Sequence, residues 1–223
     1  MTVLASALVG ALVGGACARV VHGPPASPGV GARAALAPPR HLHFTSVLGE
    51  RQRQILFDRI AARMSELRPS DVTGADKSYR RSHVLYHARD LAPEFVDAIG
   101  ASAPSFAHAL GVPPFARDDV EAQLTVSSGG DYFKAHNDNG SPDTATRRLS
   151  WVYYAHPSPL RFTGGELLMS GAPGAPPYVI RPESDTLIVF PSDVYHEVRP
   201  TRAWSRALDH ARVTLNGWVR ERM

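Results

Sequence analysis

The pattern of apolar and turn-forming residues changes after Asp119, and this change constrains the fold more than any other feature of the sequence. Short apolar or alternating runs follow one another there, each ended by Gly, Pro, Asn or Asp. Such runs are typical of β-strands, and closely spaced turn residues favour antiparallel connections. We predict eight strands, at residues 121–127, 132–135, 149–156, 166–170, 178–181, 186–190, 196–200 and 211–220. Eight short strands indicate an antiparallel sandwich or barrel.

Helical periodicity marks the region before these strands. Apolar residues recur at helical spacing from Leu48 to Leu67 and again from Ala92 to Leu110, where residues 100–104 predict a break. The predicted fold class is therefore α+β, with N-terminal support helices followed by a double-stranded β-helix of the jelly-roll type.

The first 40 residues differ in composition from the rest. Residues 3–15 are apolar, and residues 23–40 are rich in Pro, Ala and Gly. No Lys or Arg precedes the apolar run, unlike the start of a secretory signal, and the run is too short to span a membrane. We expect residues 1–40 to be a flexible leader, a tail or the product of a start codon placed too far upstream, and residues 41–223 to form a single domain.

Charge and cysteine content narrow the classes of partner and compartment. The 24 basic and 21 acidic residues give a net charge of only +3, without basic clustering, which predicts no nucleic-acid or membrane partner. The single cysteine, Cys17, excludes an intrachain disulfide and favours a reducing, cytoplasmic compartment.

Three residues suggest a metal site. His136 and Asp138 are two apart near a predicted strand, a spacing that puts both side chains on one face. His196 follows a predicted turn and is the candidate third ligand. Two His and one carboxylate leave three positions free on an octahedral ion, the arrangement of Fe(II) oxygenases. The His-x-Asp pair alone is a weak signal, because either residue is also compatible with a solvated turn.

Arg212 lies on the last predicted strand, between alternating apolar and polar residues. A guanidinium that faces into a barrel needs an anionic partner, and a bidentate carboxylate suits it best. The alternative is an exposed arginine at the rim that pairs with a surface acid. Arg202 and Arg206 are the other candidates for the anion-binding role, but neither lies in the alternating strand pattern.

From about residue 121 to 219, the predicted metal-binding core, the chain resembles the prolyl 4-hydroxylase-like branch of the Fe(II)/2-oxoglutarate dioxygenases. The matching pieces are Gln123-Leu124, Gly129-Gly130-Asp131-Tyr132, His136-x-Asp138, residues 148–154, Gly164-Gly165-Glu166-Leu167, Phe190-Pro191, His196-Glu197-Val198 and Arg212 before Gly217-Trp218. Their order and spacing are more specific than any single piece.

The resemblance implies a role for each of these residues. His136, Asp138 and His196 would bind Fe(2+) as the catalytic centre, while Arg212 and Tyr154 would hold the distal carboxylate of 2-oxoglutarate. Ser127 stands where the family often has a tyrosine, so either its hydroxyl replaces that contact or the contact is missing.

The implied reaction hydroxylates an unactivated C–H bond with O2, and a requirement for L-ascorbate is compatible with it. The implied substrate is prolyl or peptidyl, an amino acid or a natural product, so the partner is either a peptide or protein or a small molecule. We expect the substrate specificity to be determined by the loops at residues 71–81, 139–147 and 171–177.

Two other classes of protein stay open on the residues alone. One is a cupin-like metal-dependent hydrolase or isomerase that uses the same three ligands and a metal-bound water. The other is a jelly-roll binding module without catalysis. We interpret Trp151 and Trp218 as core residues.

Overall fold

The computed structural model of the protein describes residues 21–22, 39–70, 78–170, 176–205 and 207–223. These residues form two α-helices, α1 (Gly49–Ala62) and α2 (Pro93–Leu110), and fourteen strands. The strands are β1 (Val21–His22), β2 (Leu42–Thr45), β3 (Arg68–Pro69), β4 (Arg80–Arg81), β5 (His83–Leu85), β6 (Arg117–Ser127), β7 (Asp131–His136), β8 (Arg147–Tyr154), β9 (Phe162–Gly164), β10 (Leu167–Ser170), β11 (Tyr178–Ile180), β12 (Thr186–Pro191), β13 (Tyr195–Ala203) and β14 (Arg212–Glu221). All eight predicted strands are present, with ends that differ by a few residues.

The strands form two antiparallel sheets. The large sheet has the order β1-β2-β12-β8-β14-β6-β5-β3, and the small sheet has the order β11-β10-β13-β7-β4, with β9 paired to β13. Neighbours in the large sheet come from distant parts of the chain, since β14 lies between β6 and β8. The expected α+β architecture is therefore present as two antiparallel sheets with two helices.

The helices cover one face of the large sheet. Side chains alternate along its central strands, so that Leu124 and Val126 of β6 join the core with the helices, whereas Gln123 and Thr125 point to the opposite face. Trp151 of β8 lies in the same core, edge-on to Phe95 of α2. The opposite, polar face is left free to line a pocket between the two sheets.

The predicted break in the second helix is wrong, because α2 continues from Pro93 to Leu110 with Pro104 inside it. A proline in a helix leaves the carbonyl four residues earlier without its partner, here that of Gly100. Ile99 and Phe106 are fully buried on either side of this point. We attribute the continuity to the buried face, whose packing outweighs one missing hydrogen bond.

Most of the segment expected to be a flexible leader lies outside the described residues. Its strand β1 pairs with β2 through Val21 with His43 and His22 with Leu42, at the edge of the large sheet. In the part of the chain that the structure covers, neither helix has the combined length and apolar character required to cross a bilayer.

Candidate metal centre

The candidate site forms where β7 ends beside the beginning of β13. His136 is the last residue of β7 and stands directly opposite His196, the second residue of β13. Asp138 lies in a bend two residues after the strand, where its backbone N–H donates to the carbonyl of Ser192 at 2.9 Å. The strand thus supplies one ligand candidate and the bend another, rather than both projecting from a regular strand.

The three side chains form a compact donor cluster. One carboxylate oxygen of Asp138 is 3.6 Å from Nε2 of His136, and the other is 3.6 Å from Nε2 of His196. Donor atoms of all three residues lie within 4.8 Å of one another. Each side chain is less than a tenth exposed. The structure therefore brings together the three residues that the sequence selected.

Backbone hydrogen bonds orient both imidazoles in the same way. Nδ1 of His136 is 2.7 Å from the carbonyl of Lys134, and Nδ1 of His196 is 2.9 Å from the carbonyl of Val194. A carbonyl only accepts, so Nδ1 carries the proton and Nε2 presents a lone pair toward Asp138. Such hydrogen bonds fix the tautomer and the ring orientation of histidines that bind metals.

Protonation states also suit a cation. Burial and the neighbouring His196 ring lower the pKa of the His136 imidazole to about 3, so this ring is neutral at pH 7. Burial alone would raise the pKa of the Asp138 carboxyl, but the two imidazoles and the Ser150 hydroxyl hold it below its ordinary value. The Ser150 hydroxyl donates to the carboxylate at 2.6 Å and is itself 3.0 Å from that of Ser192.

The same pocket is lined by a buried cationic side chain, that of Arg212. Arg212 is only 3% exposed, and its Nε donates to the carbonyl of Gly165 at 2.8 Å. No carboxylate of the described residues pairs with it. The Tyr154 hydroxyl is fully buried and has no acceptor for its proton among the described residues, and the Arg212 guanidinium carbon is 5.1 Å from the centre of the Tyr154 ring. The Thr201 hydroxyl is also buried and has no hydrogen-bond partner in the part of the chain that the structure describes, and the side chains of Thr201 and Arg212 converge on Gly165.

These groups would suit a bound carboxylate. Among the described residues the Arg212 guanidinium has no ion-pair partner and the two hydroxyls have no acceptor, and unpaired buried polar groups are costly, so an anionic ligand would satisfy them. The sequence pointed to Arg212 and Tyr154. It gave no signal for Thr201, whose position depends on how β13 pairs with β9.

The other candidate residues fall in different places. Ser127 is buried, pairs with Arg212 in the large sheet and lines the same pocket. Tyr153 points to the opposite face, where its hydroxyl donates to Asp185 at 2.9 Å. Arg202 is exposed, and Arg206 lies outside the described residues.

Trp218 corrects the sequence interpretation. Trp151 is buried in the core as expected, but Trp218 is only partly buried and lines the pocket. Its indole hydrogen-bonds to Asp138, and the Arg147 guanidinium stacks on its ring at 3.5 Å. The two tryptophans lie on different strands, and alternation alone could have separated them, since Trp218 shares the face of Arg212 and Asn216 on β14.

Comparison with known proteins shows which family this part of the sequence resembles. Residues 122–220 match the model of the 2OG-Fe(II) oxygenase superfamily. Over these residues, somewhat under half of the chain, the sequence is similar to that superfamily. The match confirms the resemblance seen in the sequence, and the family uses Fe(II) and 2-oxoglutarate.

A curated relative agrees with this match. An uncharacterised PKHD-type hydroxylase from Synechocystis sp. is 32% identical over 184 residues, or 78% of this chain. The chain spans 60% of the length of that relative.

The solved structures are alike in fold. A prolyl-4-hydroxylase from Pseudomonas putida has a TM-score of 0.64 at 21% identity, over 82% of this chain and 93% of that one. A prolyl hydroxylase from Trichoplax adhaerens, in complex with a hypoxia inducible factor peptide fragment, has a TM-score of 0.62 at 16% identity, over 81% of this chain and 83% of that one.

Proposed function

We propose that the protein is an Fe(II)- and 2-oxoglutarate-dependent dioxygenase that hydroxylates an unactivated C–H bond. His136, Asp138 and His196 hold the iron, and Arg212 with Tyr154 holds the distal carboxylate of 2-oxoglutarate. The observation that carries the proposal is that one pocket contains both the three-donor cluster and the buried Arg212, which has no carboxylate partner among the residues that the structure describes. The two facing sheets would be a double-stranded β-helix, within one domain at residues 41–223.

The donor set fits iron of this kind. Two neutral imidazoles and one carboxylate occupy one side of an ion and leave the remaining positions for co-substrate and O2. With O2 and 2-oxoglutarate, bound iron supplies the oxidising power that hydroxylates the substrate, and succinate and CO2 are released.

The residues of the chain position and protect this chemistry. The backbone carbonyls of Lys134 and Val194 keep Nε2 of each imidazole directed at the ion. Ser150 and Trp218 fix the Asp138 carboxylate. Thr201 is well placed to donate to the same distal carboxylate as Tyr154, and Ser127 lies close enough on the neighbouring strand to contribute a further hydroxyl. L-Ascorbate would keep the iron reduced.

The substrate class stays broad at this level. The hydroxylases of similar fold are described as acting on prolyl residues, and one of them holds a peptide fragment. A prolyl or peptidyl substrate is therefore one candidate for this chain, next to a free amino acid or a natural-product scaffold. A metal-dependent hydrolase with the same ligands would have no need of the unpaired Arg212.

Anaerobic addition of Fe(II) and then 2-oxoglutarate to the purified protein tests the proposal. We expect a weak visible charge-transfer band that requires both additions, and succinate release once O2 is admitted. Zn(II) in place of Fe(II) is the control and gives no band. The absence of both the band and succinate in the Fe(II) sample would reject the proposed function. A screen of candidate substrates by a mass gain of one oxygen atom then identifies the substrate.

A further inference from the structure

A second guanidinium lines the pocket on the side of the small sheet. Arg80 lies on β4, whose backbone pairs with Phe133 of β7. Its guanidinium carbon is 4.7 Å from the centre of the Phe133 ring, and that ring stacks on His136 with 3.6 Å between centroids. Arg80 and Arg212 line the same pocket from opposite sheets. One aromatic ring thus connects Arg80 to the candidate metal centre.

Arg80 forms no close ion pair with the described residues, and the Asp138 carboxylate acts on it only at longer range. Its Nε donates to the Ser82 hydroxyl at 3.0 Å, and the remaining nitrogens make no hydrogen bond or ion pair with the part of the chain that the structure describes. The next residue, Arg81, faces the other way and pairs with the Asp131 carboxylate at 2.9 Å. Arg80 is partly buried. A partly buried charge without an ion-pair partner is unfavourable, and none of the carboxylates in the described part of the chain forms such a pair with Arg80, so an anionic ligand would suit it.

The charges of the loaded pocket leave room for one more anion. Among the described residues, the lining contains two guanidinium groups, Arg80 and Arg212, and one carboxylate, Asp138. Fe(II) would add two positive charges and 2-oxoglutarate two negative ones, while both imidazoles are neutral as ligands. One positive charge then stays uncompensated. Because 2-oxoglutarate is already matched by Arg212 and iron, the remaining charge is that of Arg80.

We propose that Arg80 binds a carboxylate of the primary substrate, so that this enzyme acts on molecules that present a carboxylate beside the C–H bond to be hydroxylated. The inference rests on the proposed function, since it assigns the cation that the co-substrate leaves free. The carboxylate comes either from the α-carboxyl of a small molecule or from an acidic side chain of a peptide. Arg80 would act as a specificity-determining residue. The Phe133 ring, which contacts both Arg80 and His136, would hold the bound carboxylate close to His136.

Binding to protein loaded with Zn(II) and 2-oxoglutarate tests this without turnover. Calorimetry would compare three pairs of ligands that differ only in a carboxylate: N-acetyl-L-proline and its amide, N-acetyl-L-leucine and its amide, and the peptides Ac-Ala-Asp-Ala-NH2 and Ac-Ala-Asn-Ala-NH2. In at least one pair we expect the acid to bind about tenfold more tightly than the neutral analogue, as suits one charge-assisted hydrogen-bonded contact. The pair that responds distinguishes an α-carboxyl from a side-chain carboxylate.

Two variants locate the effect. Arg80→Gln should remove the preference for the acid and leave the affinity for 2-oxoglutarate unchanged, whereas Arg81→Gln, a charge removed from the same strand, should keep the preference. The proposal is overturned if no pair shows a preference, if the preference survives Arg80→Gln, or if Arg80→Gln weakens 2-oxoglutarate binding. Failure of the proposed function is distinct, because wild-type protein would then not bind 2-oxoglutarate in the presence of Zn(II).

Discussion

At the scale of single residues, the candidate ligands differ from ordinary buried polar groups because their acceptor atoms face one another without a hydrogen-bond donor between them. His136 and His196 each use Nδ1 in a backbone hydrogen bond and leave Nε2 without a donor. The Asp138 carboxylate lies between these two nitrogens. Three acceptor groups that face one another repel unless a cation lies between them. We therefore expect the metal-free protein to bind divalent cations readily.

Replacing any one ligand with alanine tests their roles. In His136→Ala, Asp138→Ala and His196→Ala we expect iron-dependent succinate production to fall to background with the fold retained, as measured by circular dichroism. Asp138→Glu should fail as well, because one extra methylene moves the carboxylate by more than the roughly 0.5 Å that such a site tolerates. The exposed His83→Ala is the control. A ligand variant that keeps near wild-type turnover would remove that residue from the set.

Arg212 makes a sharper prediction. If it holds the distal carboxylate, its loss leaves a buried charge unpaired, which typically costs about 2–5 kcal/mol. Arg212→Ala should therefore raise the apparent constant for 2-oxoglutarate by roughly 30-fold or more. Arg212→Lys should recover only part, since a point charge does not reproduce the planar fork. Iron binding should persist.

A titration of 2-oxoglutarate into the Fe(II)-loaded variants provides the measurement. The exposed Arg202→Ala serves as the matched control and should bind the co-substrate normally. Unchanged affinity in Arg212→Ala would indicate that the guanidinium has a structural role only, through its bond to Gly165.

At the scale of elements, the turn between β9 and β10 joins the fold to the co-substrate site. Gly164 and Gly165 both have positive φ, at 73° and 71°. A Cβ on Gly164 would lie 2.1 Å from the backbone oxygen of Pro200, whereas one on Gly165 would lie 2.6 Å from Cδ of Arg212. The first collision involves backbone that cannot move freely, and the second a side chain that can be displaced.

The two alanine variants should therefore fail in different ways. Each carries the strain of a left-handed residue, about 1–2 kcal/mol. Gly164→Ala should in addition lower the free energy of unfolding strongly, as seen in denaturant titrations. Gly165→Ala should retain more stability but weaken 2-oxoglutarate binding by moving Arg212. Equal co-substrate affinity in Gly165→Ala and wild type would contradict this account.

The sequence could predict those strands along which apolar and polar side chains alternate. The strands that build the pocket satisfy this condition, and their polar face already contained Arg212 and Tyr154. β2 escaped prediction because it is only four residues long and follows a Pro-rich segment. The helix break and the position of Trp218 were both predicted wrongly, but for different reasons. The helix continues because its buried face packs against distant parts of the chain, whereas the alternation along β14 already puts Trp218 on the face of Arg212.

At the scale of the whole molecule, a buried histidine makes stability depend on pH. His156 follows β8 and is 1% exposed, with its ring nitrogens facing the carbonyls of Pro182 and Val213. Burial lowers the pKa of this imidazole to about 4. Its folded pKa lies below the unfolded value of about 6.5, so its contribution is complete above pH 6.5 and is lost as the pH falls toward 4.

Acid unfolding of the metal-free protein should show this dependence. At about 1.4 kcal/mol per pKa unit, the shift corresponds to roughly 3 kcal/mol once the pH has fallen below 4. Denaturant titrations between pH 7 and 4 should give a declining free energy of unfolding, with a shallower slope in His156→Gln. Parallel slopes in the two proteins would show that this ring does not control acid stability.

Removal of residues 1–38 should leave an active enzyme. In the described part of the chain, both hydrophobic clusters begin at Leu42 or later, and β1 adds only two residue pairs at a sheet edge. The truncation keeps Arg40, which donates to the carbonyl of Leu110 at 2.5 Å. Soluble yield and succinate production are the measurements. A large loss of either would assign residues 1–38 a part in folding or in the site.

The opposed positions of His136 and His196 have a consequence for how the protein matures. The two rings meet only when β7 and β13 pair in their native register, and a slip of one residue would turn one ring to the wrong face of the small sheet. A mispaired chain therefore lacks one of its donors and binds metal weakly. Since a ligand stabilises only the state that binds it, iron present during synthesis biases the chain toward the correct pairing. If these residues bind iron as proposed, metal supply during synthesis should set the yield of correctly paired protein as well as the catalytic activity.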